Sequence, residues 1–198
     1  MIEWSALNTL NALRLDRDRE LTGDIVPEAY FKCVAVRELA YPWPSHDAER
    51  QLTEIRAAWT EKFLYLHLWA KDSWITADDR LTVFLQRSEQ EYLVWECSAS
   101  GAIASYKALG TDNRFDRTWK TAAQSKIRLH DAGWVCELRI PFAKDWGSSP
   151  QRGETWGASF HRTDVDRRGR TSLSTFSDVA ADAETDLHRT PFGQMVFS

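Results

Sequence analysis

The chain offers no cysteine framework. Its three cysteines, Cys33, Cys97 and Cys136, are odd in number and widely spaced, without a C-x-x-C pair. That excludes a disulfide-stapled scaffold and a zinc ligand set. Cys97 and Cys136 fall inside strand-like runs, where a free thiol behaves as a small hydrophobe. An excess of positive charge is also missing: 25 Lys and Arg stand against 29 Asp and Glu, a formal net charge of −4. A sequence-independent grip on nucleic acid or on anionic lipid is therefore not expected. No run of about 18 apolar residues exists to form a spanning helix. The opening Met1-Ile2-Glu3-Trp4-Ser5 lacks a basic segment followed by an apolar one, so the expectation is a cytoplasmic chain.

Familiar catalytic signatures are absent too. His46, His67, His130, His161 and His188 form no H-x-x-x-H pair, and neither a G-x-S-x-G elbow nor a Gly-rich phosphate loop accompanies them. Ser45, His46 and Asp47 are adjacent in sequence, which is not how a catalytic triad is assembled.

What is present is a globular composition, 27% charged and 43% hydrophobic, with ten tryptophans. Indoles serve burial first and stacking on sugar rings or planar ligands second. Gly133-Trp134-Val135-Cys136-Glu137-Leu138-Arg139-Ile140-Pro141 carries the period-2 pattern of a strand, ended by a proline that cannot continue a ladder. Thr53–Trp59 leads through Thr60-Glu61-Lys62 into the nearly continuous apolar run Phe63–Trp69, an antiparallel hairpin with a central strand. Further strands are expected at Leu81–Gln86, Tyr92–Cys97, Ala102–Tyr106, Lys126–Leu129, Thr155–His161 and Gln194–Phe197, and another from Phe31 to Leu39. Residues 5–20 fit either a short helix or a first edge strand. Asp164–Pro191, polar and without a period, reads as a long loop. Turn signals every 8–15 residues indicate an all-β fold, an antiparallel β-sandwich of immunoglobulin-like or jelly-roll-like kind, in one domain spanning residues 1–198. Trp69, Trp95, Trp134 and Trp156 are expected in its core.

Several segments, in order, resemble family 9 carbohydrate-binding modules, β-sandwiches of the DOMON-like superfamily. Phe63-Leu64-Tyr65-Leu66 followed by Asp72 and Asp79-Arg80-Leu81-Thr82-Val83-Phe84 is similar to the family's "LY" hairpin, aspartate and "D-x-V-x-F" strand. Gly133–Phe142 is similar to "GW-x-x-E-x-x-IP". Gly153-Glu154-Thr155-Trp156-Gly157-Ala158-Ser159-Phe160-His161-Arg162 matches "G-x-x-W-G-x-x-F-x-R", and Phe192-Gly193 fits the closing "FG" strand. Asp24-Ile25-Val26-Pro27-Glu28 sits where the family opens with "DG-x-x-DE". The resemblance implies a sugar-binding, non-catalytic module with structural calcium, and hence a role in polysaccharide metabolism.

The chain departs from the family where sugars bind. One clamping tryptophan falls near Thr76 or Ala77 here, with Trp74 the nearest indole. The second falls in Asp182–Arg189, which holds no aromatic, and a family arginine falls at Glu96. The candidate ligand residues are accordingly Trp74 and Trp119 for stacking, with Glu96, His161 and Arg162 for hydrogen bonds to hydroxyls. A Glu96–Arg162 ion pair is the structural alternative for that pair. Asp72, Asp78 and Asp79, and Asp164 and Asp166 with Asp178, Asp182 and Asp186, offer oxygen ligands for calcium, though without EF-hand spacing. Two other classes stay open: a small cyclase- or isomerase-like enzyme using Glu96 or Asp164 in the cleft, and a protein-interaction module.

Overall fold

The hairpin of β2 (Thr53–Trp59) and β3 (Phe63–Lys71) shows how pattern becomes structure. The computed structural model describes residues 8–37, 39–42, 50–88, 90–109, 114–177 and 192–198. In it β2 and β3 pair antiparallel, Ala57 opposite Leu66, and β2 is buried along its whole length. Thr60 holds the turn. Its hydroxyl oxygen accepts from the Lys62 and Phe63 amides at 3.2 Å each and donates to Asp18 at 2.7 Å.

β9 (Gly133–Pro141) lies along the other edge of β3, from Gly133 opposite Lys71 to Pro141 opposite Phe63. Gly133 has φ +144°, and a Cβ there would sit 2.1 Å from the Ala70 carbonyl oxygen, so only glycine closes this end of the pairing. Pro141 then caps a one-turn helix, α1 (Phe142–Asp145). β8 (Gln124–His130) completes this side. On the other side β10 (Thr155–Val165) lies between β4 (Arg80–Ser88) and β12 (Gly193–Phe197). From β4 the sheet continues through β5 (Glu91–Ser98), β6 (Ile103–Leu109) and β7 (Arg114–Asp116), while β11 (Thr171–Thr175) pairs with the far end of β10.

These strands form one curled sheet rather than two separate antiparallel ones. The join is β1 (Thr9–Arg14), which runs parallel to both β12 and β2. The expectation of a wholly antiparallel arrangement is corrected at this strand. Parallel neighbours need a long connection, and residues 15–52 supply one between β1 and β2. The sheet curls so that β5 and β9 meet: Trp95, Cys97, Trp134 and Cys136 belong to one core cluster with Trp156 and Phe197. Trp69, by contrast, is only half-buried. All three cysteines are buried free thiols, and the neighbouring Cys97 thiol together with burial pushes the Cys136 thiol well up.

The connection after β1 covers the outer face of β2 and β3. Tyr30, Cys33, Ala58 and Tyr65 pack there with Leu13, Leu15 and Leu21. Glu137 Oε2 accepts from the Gly23 amide at 2.5 Å, and ring nitrogens of His67 and His130 bond the Asp24 and Gly23 carbonyls at 2.9 and 2.8 Å. Among the described residues, the strand expected from Phe31 to Leu39 does not form. A 3-10 turn at Glu28–Tyr30 runs into a further turn at Phe31–Cys33, and Val36 makes only an isolated bridge to Ile55. Phe31 and Val34 are 67% and 70% exposed, because Tyr30 and Cys33 anchor the segment instead. The loop expected at Asp164–Pro191 is in part strand: β10 runs on to Val165 and β11 returns beside it. Among the described residues, no helix is long and apolar enough to cross a membrane.

Candidate functional site

At one end of the sheet, where β3 and β10 finish and β4 begins, two turns face each other. The first, between β3 and β4, is shaped by aspartates. Asp72 Oδ1 accepts from the Trp74 amide at 2.7 Å, and Asp79 Oδ2 accepts from the Thr76 amide at 2.6 Å. Asp79 Oδ1 reaches the Val165 amide at 2.8 Å, tying this turn to the end of β10. The second turn joins β10 to β11. Asp166 Oδ1 accepts from the Arg168 and Arg170 amides at 2.8 and 2.9 Å, and Oδ2 from Arg170 Nε at 2.7 Å. These bonds to the charged form hold the Asp166 carboxyl below its ordinary value, those from Arg170 first.

Beneath both turns lies Arg162, 1% exposed. Its Nη1 donates to the carbonyls of Lys71 at 2.8 Å and Leu52 at 3.2 Å, and its Nη2 to Asp72 at 3.2 Å and Asp164 at 2.5 Å. One guanidinium thus fastens the start of β2 and the ends of β3 and β10. Asp72, Asp79 and Asp164 are all buried, with one oxygen of each within 4.8 Å of the others. Burial pushes the Asp164 carboxyl up to about 6, Asp72 adding to the rise and Arg162 opposing it. Burial also raises Asp79 against its two backbone bonds.

Above this base is an open depression of about 420 Å³, lined by Gln51, Asp72, Ser73, Trp74, Asp164 and Asp166, with Arg167, Arg168 and Arg170. Trp74 is 49% exposed, and the Arg167 guanidinium lies 5.3 Å from its ring centroid.

The sequence candidates do not all meet here. Trp74 lines the depression, and Arg162 lies beneath it, turned to the core side and out of reach of a ligand. Arg162 pairs with Asp72 and Asp164, so the Glu96–Arg162 pair does not form. Glu96 accepts from the Tyr106 hydroxyl at 2.9 Å and is 4.0 Å from Arg80. It shares the outer face with Thr82 and His161, one row across β5, β4 and β10. His161 is buried there, 2.9 Å from the Ser159 hydroxyl and 4.8 Å from the Phe84 ring. Trp119 packs edge-on against Trp95 at 6.2 Å, with Lys107 over its ring, and does not line the depression. Asp78 is exposed outside the aspartate cluster. Asp178, Asp182 and Asp186 lie outside the described residues.

Among the described residues, these three clustered aspartates are the group that could hold the calcium implied by the family resemblance. Calcium takes six to eight oxygen ligands. Here Arg162 Nη2 already bridges Asp72 and Asp164, and both Asp79 oxygens hold amides. The arrangement suits a guanidinium better than a metal ion. Two features escaped the sequence reading: the convergence of Asp72 and Asp79 with Asp164, some 90 positions away, and the arginines at the rim. The run Asp166-Arg167-Arg168-Gly169-Arg170 is the local signal for the latter, a charged turn punctuated by glycine.

No family model matches the chain, and no curated protein matches it. Solved structures do. A family 9 carbohydrate-binding module from Caldicellulosiruptor kristjanssonii in complex with glucose superposes with a TM-score of 0.69 at 14% identity, over 96% of this chain and 95% of that one. The same organism's module in complex with cellotriose gives 0.71 at 13%, over 96% and 93%. A candidate carbohydrate-binding protein from Bacteroides uniformis gives 0.78 at 15%, over 96% and 99%. Over almost its whole length, this chain is similar in fold to family 9 carbohydrate-binding modules.

Proposed function

We propose that the protein binds carbohydrate without catalysing its turnover, through the depression beside Trp74, and so serves polysaccharide metabolism. The half-exposed indole at the edge of an open, polar hollow carries this reading. An indole face stacks on the C–H face of a pyranose, while Gln51, Ser73 and the neighbouring charged groups offer donors and acceptors for hydroxyls. The shared fold supports it, since two of the similar structures hold glucose and cellotriose. In this reading the curled sheet works as a sandwich whose halves, β8–β9–β3–β2 and β12–β10–β4–β5–β6, present their connecting turns at the ligand end. Glu96 and His161, on the outer face, contribute to folding rather than to this site.

Calorimetric titration of the full chain with glucose, cellotriose and a panel of other oligosaccharides tests the proposal. Binding that Trp74→Ala weakens supports it, and no heat with any saccharide sinks it. A second reading, a small acid–base enzyme, is favoured by one observation: the Asp164 carboxyl, raised to about 6, lines the same depression. Against it, Asp164 is bound to Arg162 and the hollow is open to water, which general acid catalysis on a buried bond would exclude. Chromatography of oligosaccharides after prolonged incubation separates the readings: new products favour the enzyme.

A further inference from the structure

We propose that the Trp74 depression selects anionic saccharides, sugars carrying a uronate carboxylate or a sulfate ester, through Arg167 and Arg168. This rests on the carbohydrate reading above and names the class of ligand within it. Three carboxylates line the depression, and each is already engaged: Asp72 and Asp164 on Arg162, and Asp166 on Arg170, whose Nη2 is 2.6 Å from Oδ2. Arg167 and Arg168 are exposed and have no carboxylate partner among the described residues. Two guanidinium groups are thus presented to solvent on a chain whose overall formal charge is −4.

Their placement gives this charge a purpose beyond solubility. The Arg167 guanidinium lies 5.3 Å from the Trp74 ring centroid, within cation–π range, which keeps the charge beside the indole. The turn that carries both arginines is rigid, because Asp166 accepts two of its amides and a guanidinium nitrogen. A neutral sugar can accept hydrogen bonds from these two guanidinium groups but gains nothing from their charge. A carboxylate or sulfate does gain, since it accepts paired N–H bonds from a guanidinium while the pyranose ring packs on the half-exposed indole.

The test is titration of the full chain with cellotriose, trigalacturonate and a sulfated galactose trisaccharide, at low and at physiological salt. One or both anionic sugars are expected to bind more tightly than cellotriose, with a preference that shrinks as salt rises, because the site is open and the Debye length is only about 8 Å at 0.15 M. Arg167→Gln and Arg168→Gln should each lower the ratio of anionic to neutral affinity by about three- to tenfold, the range for a charge-assisted contact open to solvent. Equal binding of neutral and anionic sugars, or a preference that both substitutions leave intact, overturns the inference and leaves the carbohydrate reading standing. Failure of all three sugars to bind a normally melting protein overturns both.

Discussion

Two buried groups give this protein opposed pH responses in the same window. His67 is fully buried on β3, where burial pulls its imidazole down to about 4 from an ordinary 6.5. Asp164 is raised to about 6 from 3.8. Stability changes with pH according to which state binds more protons. For His67 the unfolded chain binds more protons between about pH 4 and 6.5, so its contribution to stability rises with pH there. For Asp164 the folded chain binds more protons between about pH 4 and 6, so its contribution falls over nearly the same range. The pKa gaps correspond to at most about 3–4 kcal/mol for His67 and about 3 kcal/mol for Asp164, the latter reduced because water in the depression screens it. Asp79, Glu137 and Asp145 are also raised by burial and act in the direction of Asp164. The clean observable is therefore the difference from wild type, which leaves those groups in place. Urea unfolding at intervals from pH 4 to 7.5 measures it. The stability of Asp164→Asn minus that of wild type should climb with pH, since the amide cannot charge yet still offers Arg162 an oxygen. The same difference for His67→Gln should fall. Difference curves that are flat, or that slope the same way, refute the reasoning.

The parts of the fold legible in the sequence are those whose signal is local. β9 and β10 alternate cleanly, and the β2–β3 hairpin carries its own turn in Thr60-Glu61-Lys62. β11 was not legible because Thr171-Ser172-Leu173-Ser174-Thr175 is buried through small hydroxyl side chains rather than through apolar ones. The segment after Val26 misled for the opposite reason: Phe31 and Val34 look like core residues but face solvent, since Tyr30 and Cys33 take the buried positions. The parallel pairing of β1 depends on β2, across a long connection, and on β12, near the other end of the chain, which no window of sequence contains. The site divides in the same way. Trp74 is legible as a large aromatic in a polar loop. Arg162 looked like a strand-end cation able to meet Glu96, but strand parity sends the two side chains to opposite faces, Glu96 in register with Thr82 and Arg162 with Leu81. Its actual partners, Asp72 and Asp164, come from separate strand ends that only the closed sheet brings together.

Three further substitutions probe the frame and the site. Gly133→Ala should cost about 2–4 kcal/mol in urea unfolding, because its Cβ would fall 2.1 Å from the Ala70 oxygen at a φ that other residues avoid; a change under about 0.5 kcal/mol would mean the β3–β9 end relaxes freely. Trp74→Ala should leave the melting temperature nearly unchanged, since half of the ring is in water, while weakening saccharide binding about tenfold or more; a large loss of stability would make Trp74 a structural cap. Arg162→Met is the most severe. It removes the one cation bridging Asp72 and Asp164 and leaves the carbonyls of Leu52 and Lys71 without its N–H donors, for an expected loss of about 3–5 kcal/mol at pH 7. Lysine cannot replace it, because a single ammonium does not reach two carboxylates and two carbonyls in one plane. The loss should shrink as pH falls from 7, because Arg162 holds the Asp164 carboxyl down, and without it that carboxyl, already raised to about 6, takes up its proton sooner. Calcium supplies the remaining discrimination. If Arg162 fills the role a metal ion would otherwise have, millimolar calcium should not shift the wild-type melting temperature but should recover part of what Arg162→Met loses. Strong stabilisation of the wild-type protein by calcium that Asp79→Asn abolishes would instead place the ion in this cluster alongside the guanidinium, and the reading of Arg162 as its substitute would fall.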